Sequence, residues 1–77
     1  MKCLLLLNEK EFKKATDGME AIEYETVKHE GTTFTFIEVV GEKTSWFVKI
    51  KPKRQEPYYV QQDEHVFLAL NELLLKA

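Results

Sequence analysis

The chain has 77 residues, a net charge of −2, 44% hydrophobic and 12% aromatic residues, and only three glycines and two prolines. This composition excludes a disordered or collagen-like chain, and the length leaves room for a single domain, residues 1–77. One cysteine, Cys3, excludes an internal disulfide, and two histidines with one thiol make no structural zinc set. Small cores are usually reinforced by staples or by self-association, so a homodimer is expected.

Residues 2–7 are apolar on both faces, which suits a buried central strand, although four leucines also suit a helix. The opening MKCLLLL looks like a signal peptide, but its apolar run ends at Leu7, before Asn8-Glu9-Lys10-Glu11. That is short of the roughly 7–15 apolar residues such a segment needs. No stretch approaches membrane-spanning length, so a soluble, cytoplasmic protein is expected.

Asn8 and Glu11 have the spacing of a capping box, flanked by Leu7 and Phe12 as a hydrophobic staple. They predict a short surface helix anchored by Phe12 and Ala15, ending near Thr16 with Gly18 available for a left-handed turn. In residues 21–29, Ile22, Tyr24 and Thr26 alternate with Glu23, Glu25 and Val27, as in a half-buried strand. Glu30-Gly31 turns the chain into residues 32–40. There Phe34 and Phe36 fall on one face, Ile37 and Val39 on the other, as in a strand covered on both sides. Gly41-Glu42-Lys43 leads into strand 44–51, Pro52 ends it, and a basic loop 53–57 precedes a short strand 58–61.

Asp63 can cap a helix over 64–76, on which Val66, Phe67, Leu70, Leu73, Leu74 and Ala77 form one apolar face. From this face, Val66, Phe67, Leu70, Leu73 and Leu74 are expected to meet Ile22, Tyr24, Trp46, Val48 and Ile50. Leu68 and Leu75 lie nearly opposite it and form the expected dimer interface. The fold class is α+β: an antiparallel sheet of four or five strands, a short helix after the first strand, and a C-terminal helix across one face.

No catalytic constellation emerges. Ser45 has no neighbouring base, and adjacent helical residues Asp63, Glu64 and His65 point about 100° apart. Gly18, Gly31 and Gly41 are isolated turn residues rather than a phosphate loop. The expectation is a non-enzymatic protein with no metal and no cofactor.

Residues 43–60 stand out. Trp46, Phe47, Tyr58 and Tyr59 are interleaved with Lys43, Lys49, Lys51, Lys53 and Arg54 against one acid, Glu56. Strand alternation puts Trp46, Val48 and Ile50 toward the core and Phe47, Lys49 and Lys51 away from it. The expected partner-binding surface is Phe47, Lys49, Lys51, Lys53, Arg54, Tyr58 and Tyr59. Exposed aromatics among bases suit a protein hot spot, and they also suit stacking on single-stranded nucleic acid. The acidic overall balance favours the protein partner, bound by an adaptor or inhibitor. Acidic, charge-rich domains of this size without motifs are often accessory proteins that modulate a larger machine, those of phages and mobile elements among them. A meander of strands closed by a C-terminal helix also resembles single-stranded-DNA-binding transcription cofactors, which dimerise through such helices. That likeness is one of architecture alone.

Overall fold

Two helices lie on opposite faces of one five-stranded antiparallel sheet in the computed structural model, which describes residues 6–75 and, of Leu74 and Leu75, only the backbone. The elements are β1 (Leu6–Asn8), α1 (Glu9–Ala15), β2 (Glu20–His29), β3 (Thr32–Val40), β4 (Thr44–Lys51), β5 (Tyr58–Gln62) and α2 (Glu64–Leu75). The sheet order is β1-β5-β4-β3-β2, so four consecutive strands form a meander and β1 joins beside β5. Cys3 and the start of the predicted first strand lie outside the described residues. What is described of that strand is an edge, paired only with β5 and with Leu6 exposed, not the buried central strand expected. Sheet order is set by long-range pairing, which local hydrophobicity does not encode.

Local chemistry sets the connections. The Asn8 side chain accepts from the Glu11 N–H and the Glu11 carboxylate accepts from the Asn8 N–H, closing the predicted capping box. The helix stops at Thr16, whose hydroxyl donates back to the Phe12 carbonyl. Ala15 is exposed, so Phe12 alone anchors α1. At the β2–β3 hairpin Glu30 and Gly31 both take positive φ, 50° and 83°, the pattern of a turn whose twist matches the strands it joins.

Each face has its own core. On the α1 side Phe12, Ile37, Val39, Phe47 and Tyr59 pack together with Leu7. On the α2 side Phe36, Val48 and Phe67 pack with Val27, Phe34, Trp46, Ile50 and Leu70. The predicted division of Phe34 and Phe36 from Ile37 and Val39 is therefore the division between the two cores. Trp46, Val48 and Ile50 lie under α2 as expected.

The partners of α2 on β2 differ from expectation. A β-bulge between Glu23 and Glu25 shifts the register against β3. After the bulge Val27, not Thr26, is on the α2 side, while Thr26 pairs with Thr35 on the other. Ile22 and Tyr24 stay 37% and 54% exposed at the margin of the α2 core. Leu73, expected on the buried stripe of α2, is 67% exposed. Twelve helical residues lying across a twisted sheet hold Phe67 and Leu70 against it, whereas Leu73 lies one turn further along.

Candidate functional site: an acidic aromatic cleft beneath the C-terminal helix

The stretch 43–60 does not form one surface. Phe47 and Tyr59, expected to stand exposed, are each only 4% exposed. The Phe12 ring covers both, meeting Phe47 edge-on at 5.1 Å and lying flat on Tyr59 at 3.9 Å between centroids. Alternation correctly placed Phe47 opposite Trp46, but a seven-residue helix carrying one large apolar side chain is enough to bury that face. Tyr58 pairs with Ile50 and so lies on the α2 side, half-buried.

The bases remain accessible. Two register rows run across the α1-side face next to the Phe12 cluster, Lys28–Thr33–Lys51 and Thr26–Thr35–Lys49–Tyr59, the second containing the buried Thr35 and Tyr59. Lys49 is half-buried, with its ammonium 5.8 Å from the centre of the Tyr59 ring, and the Lys51 ammonium donates to the Pro52 carbonyl. Lys53 and Arg54 are exposed in the following loop, Arg54 with φ of 62°. The Lys53 stem lies over Gly31, where an added Cβ would meet it at 3.7 Å. Burial raises the Tyr59 hydroxyl above the ordinary tyrosine range; the Lys49 ammonium opposes that shift, and Glu9 adds to it.

The other face carries a more defined concavity. A cleft of about 350 Å³ opens between α2 and strands β2, β3 and β4. Its helical wall is Glu64, Phe67, Leu68 and Asn71, the i, i+3, i+4 and i+7 positions that share one face of a helix. Its sheet wall is Tyr24, Glu25, Glu38 and Trp46. The bulge explains why neighbours Tyr24 and Glu25 both line it, because alternation is broken there. Glu38 and Trp46 face each other across β3 and β4.

The cleft is negative and ring-lined. Three carboxylates border it, and among the described residues no base does. The Tyr24 hydroxyl donates to the Glu38 carboxylate, which holds that carboxylate in place and raises the Tyr24 hydroxyl above its usual range, with smaller contributions from burial and from the Glu38 charge. The Phe67 ring stands edge-on to Tyr24 at 6.4 Å and to Phe36 at 5.3 Å. Asn71 Oδ1 is shut off from solvent and, among the described residues, accepts no hydrogen bond. Leu68, one of the two expected dimer residues, is 55% exposed at the rim; the side chain of Leu75 lies outside the described residues.

Sequence reasoning missed this cleft. Two of its signals were present: the Glu64/Phe67/Leu68/Asn71 stripe, and a hairpin at residues 41–43 that sets Glu38 opposite Trp46. The bulge that adds Glu25 has no comparable signature. A larger concavity, about 520 Å³, lies between α1 and loop 52–57, but its two acids, Glu9 and Glu56, offset its two lysines, Lys10 and Lys13. Among the described residues no group of three or more acids, cysteines or histidines is placed to hold a metal ion, and no helix is long and apolar enough to cross a membrane.

No family model, curated protein or solved structure matches the chain.

Proposed function

We propose that this chain is a non-enzymatic accessory protein, an adaptor or inhibitor, that engages a protein partner through the α2 side of its sheet. The observation that carries the reading is the cleft beneath α2, where aromatic rings and carboxylates are combined at one opening. Exposed Ile22, Tyr24, Leu68 and Leu73 belong to the same side, on β2 and α2. Tyrosine and tryptophan, which Tyr24 and Trp46 supply at the cleft, are enriched in protein-interface hot spots. The partner-binding role first assigned to the 47–59 stretch passes, in this reading, to the opposite face.

A single-stranded nucleic acid is less well supported than the sequence suggested. Lys49, Lys51, Lys53 and Arg54 still offer positive charge, but Phe47 and Tyr59 are buried and offer no ring for a base to stack on.

A homodimer belongs to the same proposal. It would use Leu68 and Leu75, as the sequence suggests, and Leu68 is 55% exposed and open to a second copy. Because Leu68 also borders the cleft, dimer and partner complex are expected to compete.

The test is capture from the lysate of the protein's own host, with and without nuclease. A defined protein retained after nuclease treatment is expected. Release of everything captured by nuclease would move the reading to nucleic acid.

A further inference from the structure

We infer that the cleft beneath α2 binds an arginine side chain, presented by a basic segment of the partner protein. The inference rests on the protein-partner reading and names the chemistry that would carry it.

Charge sets the first constraint. Glu25, Glu38 and Glu64 border the opening, no lysine or arginine among the described residues lines it, and a cationic group is the complement. Geometry sets the second. The carboxylates come from three different elements and are not gathered tightly enough to enclose a metal ion. They are spaced instead around a cavity of side-chain dimensions, which suits a larger cation with several separated donors.

The walls set the third. Guanidinium is planar, weakly hydrated and stacks on aromatic faces, while its five N–H groups fan out in one plane. Trp46 and Tyr24 supply rings at the cleft, and the carboxylates supply acceptors. The Tyr24 hydroxyl already holds Glu38, so that carboxylate is oriented before any ligand arrives. A lysine ammonium meets fewer of these features, being a compact point charge with three donors and no plane to stack.

Trp46, the only tryptophan of the chain, reports on the site directly. The experiment titrates the protein with acetyl-Gly-Arg-Gly-amide, with its citrulline counterpart (same shape, no charge) and with its lysine counterpart, following Trp46 emission. The arginine peptide is expected to give a saturable change and the citrulline peptide none, with lysine weaker than arginine. Replacing Glu25→Gln and Glu64→Gln together is expected to weaken the arginine response about tenfold, the loss of roughly one charge-assisted hydrogen bond. Both positions are exposed, and an unchanged melting curve would show that the variant folds. Equal responses to arginine and citrulline, or no saturable response to arginine, would overturn the inference. So would an unweakened response in the folded double variant. These outcomes are separate from the fate of the broader reading: a captured protein partner indifferent to both substitutions would sink the arginine site alone, whereas complete release by nuclease would sink the protein-partner reading whatever the peptides do.

Discussion

The Phe12 ring lies flat against the Tyr59 ring, 3.9 Å between centroids and 5° from parallel, and this contact ties α1 to β5. Phe47 completes the cluster at 83° to Phe12. The aromatics of the basic stretch therefore hold the fold together. Phe47→Ala is expected to cost about 3–5 kcal/mol, a large part of the roughly 5–15 kcal/mol that holds a domain together. Urea denaturation measures this, and a midpoint within error of wild type would contradict the burial of Phe47.

On the other face Phe67 is 1% exposed and Leu73 67%, though both lie on the stripe that periodicity marks as apolar. Phe67→Ala should cost about 3–5 kcal/mol. Leu73→Ala should change stability by no more than about 0.5 kcal/mol, as an exposed substitution does. Equal effects of the two would show that α2 packs over its whole length.

Tyr59 links stability to alkaline pH. Burial raises its folded-state pKa above the unfolded value of about 10, so the folded chain keeps the phenol proton longer than the unfolded chain. The stabilising contribution is complete below pH 10 and is lost as pH climbs through the raised folded value. Denaturation midpoints should stay level on this account up to about pH 10 and then fall, with a smaller fall in Tyr59→Phe. Because the Lys49 ammonium opposes the shift, Lys49→Ala should move the spectroscopic titration of Tyr59 still higher. A lower Tyr59 titration in that variant would contradict the assignment.

Much of this fold is legible in the sequence because its signals are local. Asn8 and Glu11 mark the start of α1 through bonds three residues apart. Alternation sorts Trp46, Val48 and Ile50 from Phe47 and Lys49, and Phe36 from Ile37, onto the faces where the structure has them. Alternation names a side, however, and cannot say what covers it. Phe47 and Tyr59 are buried by Phe12, some 35 and 47 residues away in sequence. The placement of β1 at an edge, the bulge that redirects Thr26 and Val27, and a cleft built from four separate elements all depend on pairings between distant residues. The exposure of Leu73 likewise depends on how far α2 follows the sheet.

Self-association is read by sedimentation equilibrium. At micromolar concentration the chain should sediment near twice its 9.1 kDa mass, and Leu68→Glu should return it to the monomer by placing a charge at the exposed Leu68 position. A wild-type monomer under these conditions would remove the dimer from the proposal without touching the cleft.

Two charge-reversed variants compared in capture from host lysate decide which face of the sheet meets the partner. Glu25→Lys with Glu64→Lys reverses charge at the cleft, and Lys49→Glu with Lys51→Glu reverses it on the opposite face. With both variants folded and nuclease present, the partner protein should be lost from the first and retained by the second. Retention by the cleft variant together with loss from the lysine variant would contradict the assignment of the binding site to the α2 side.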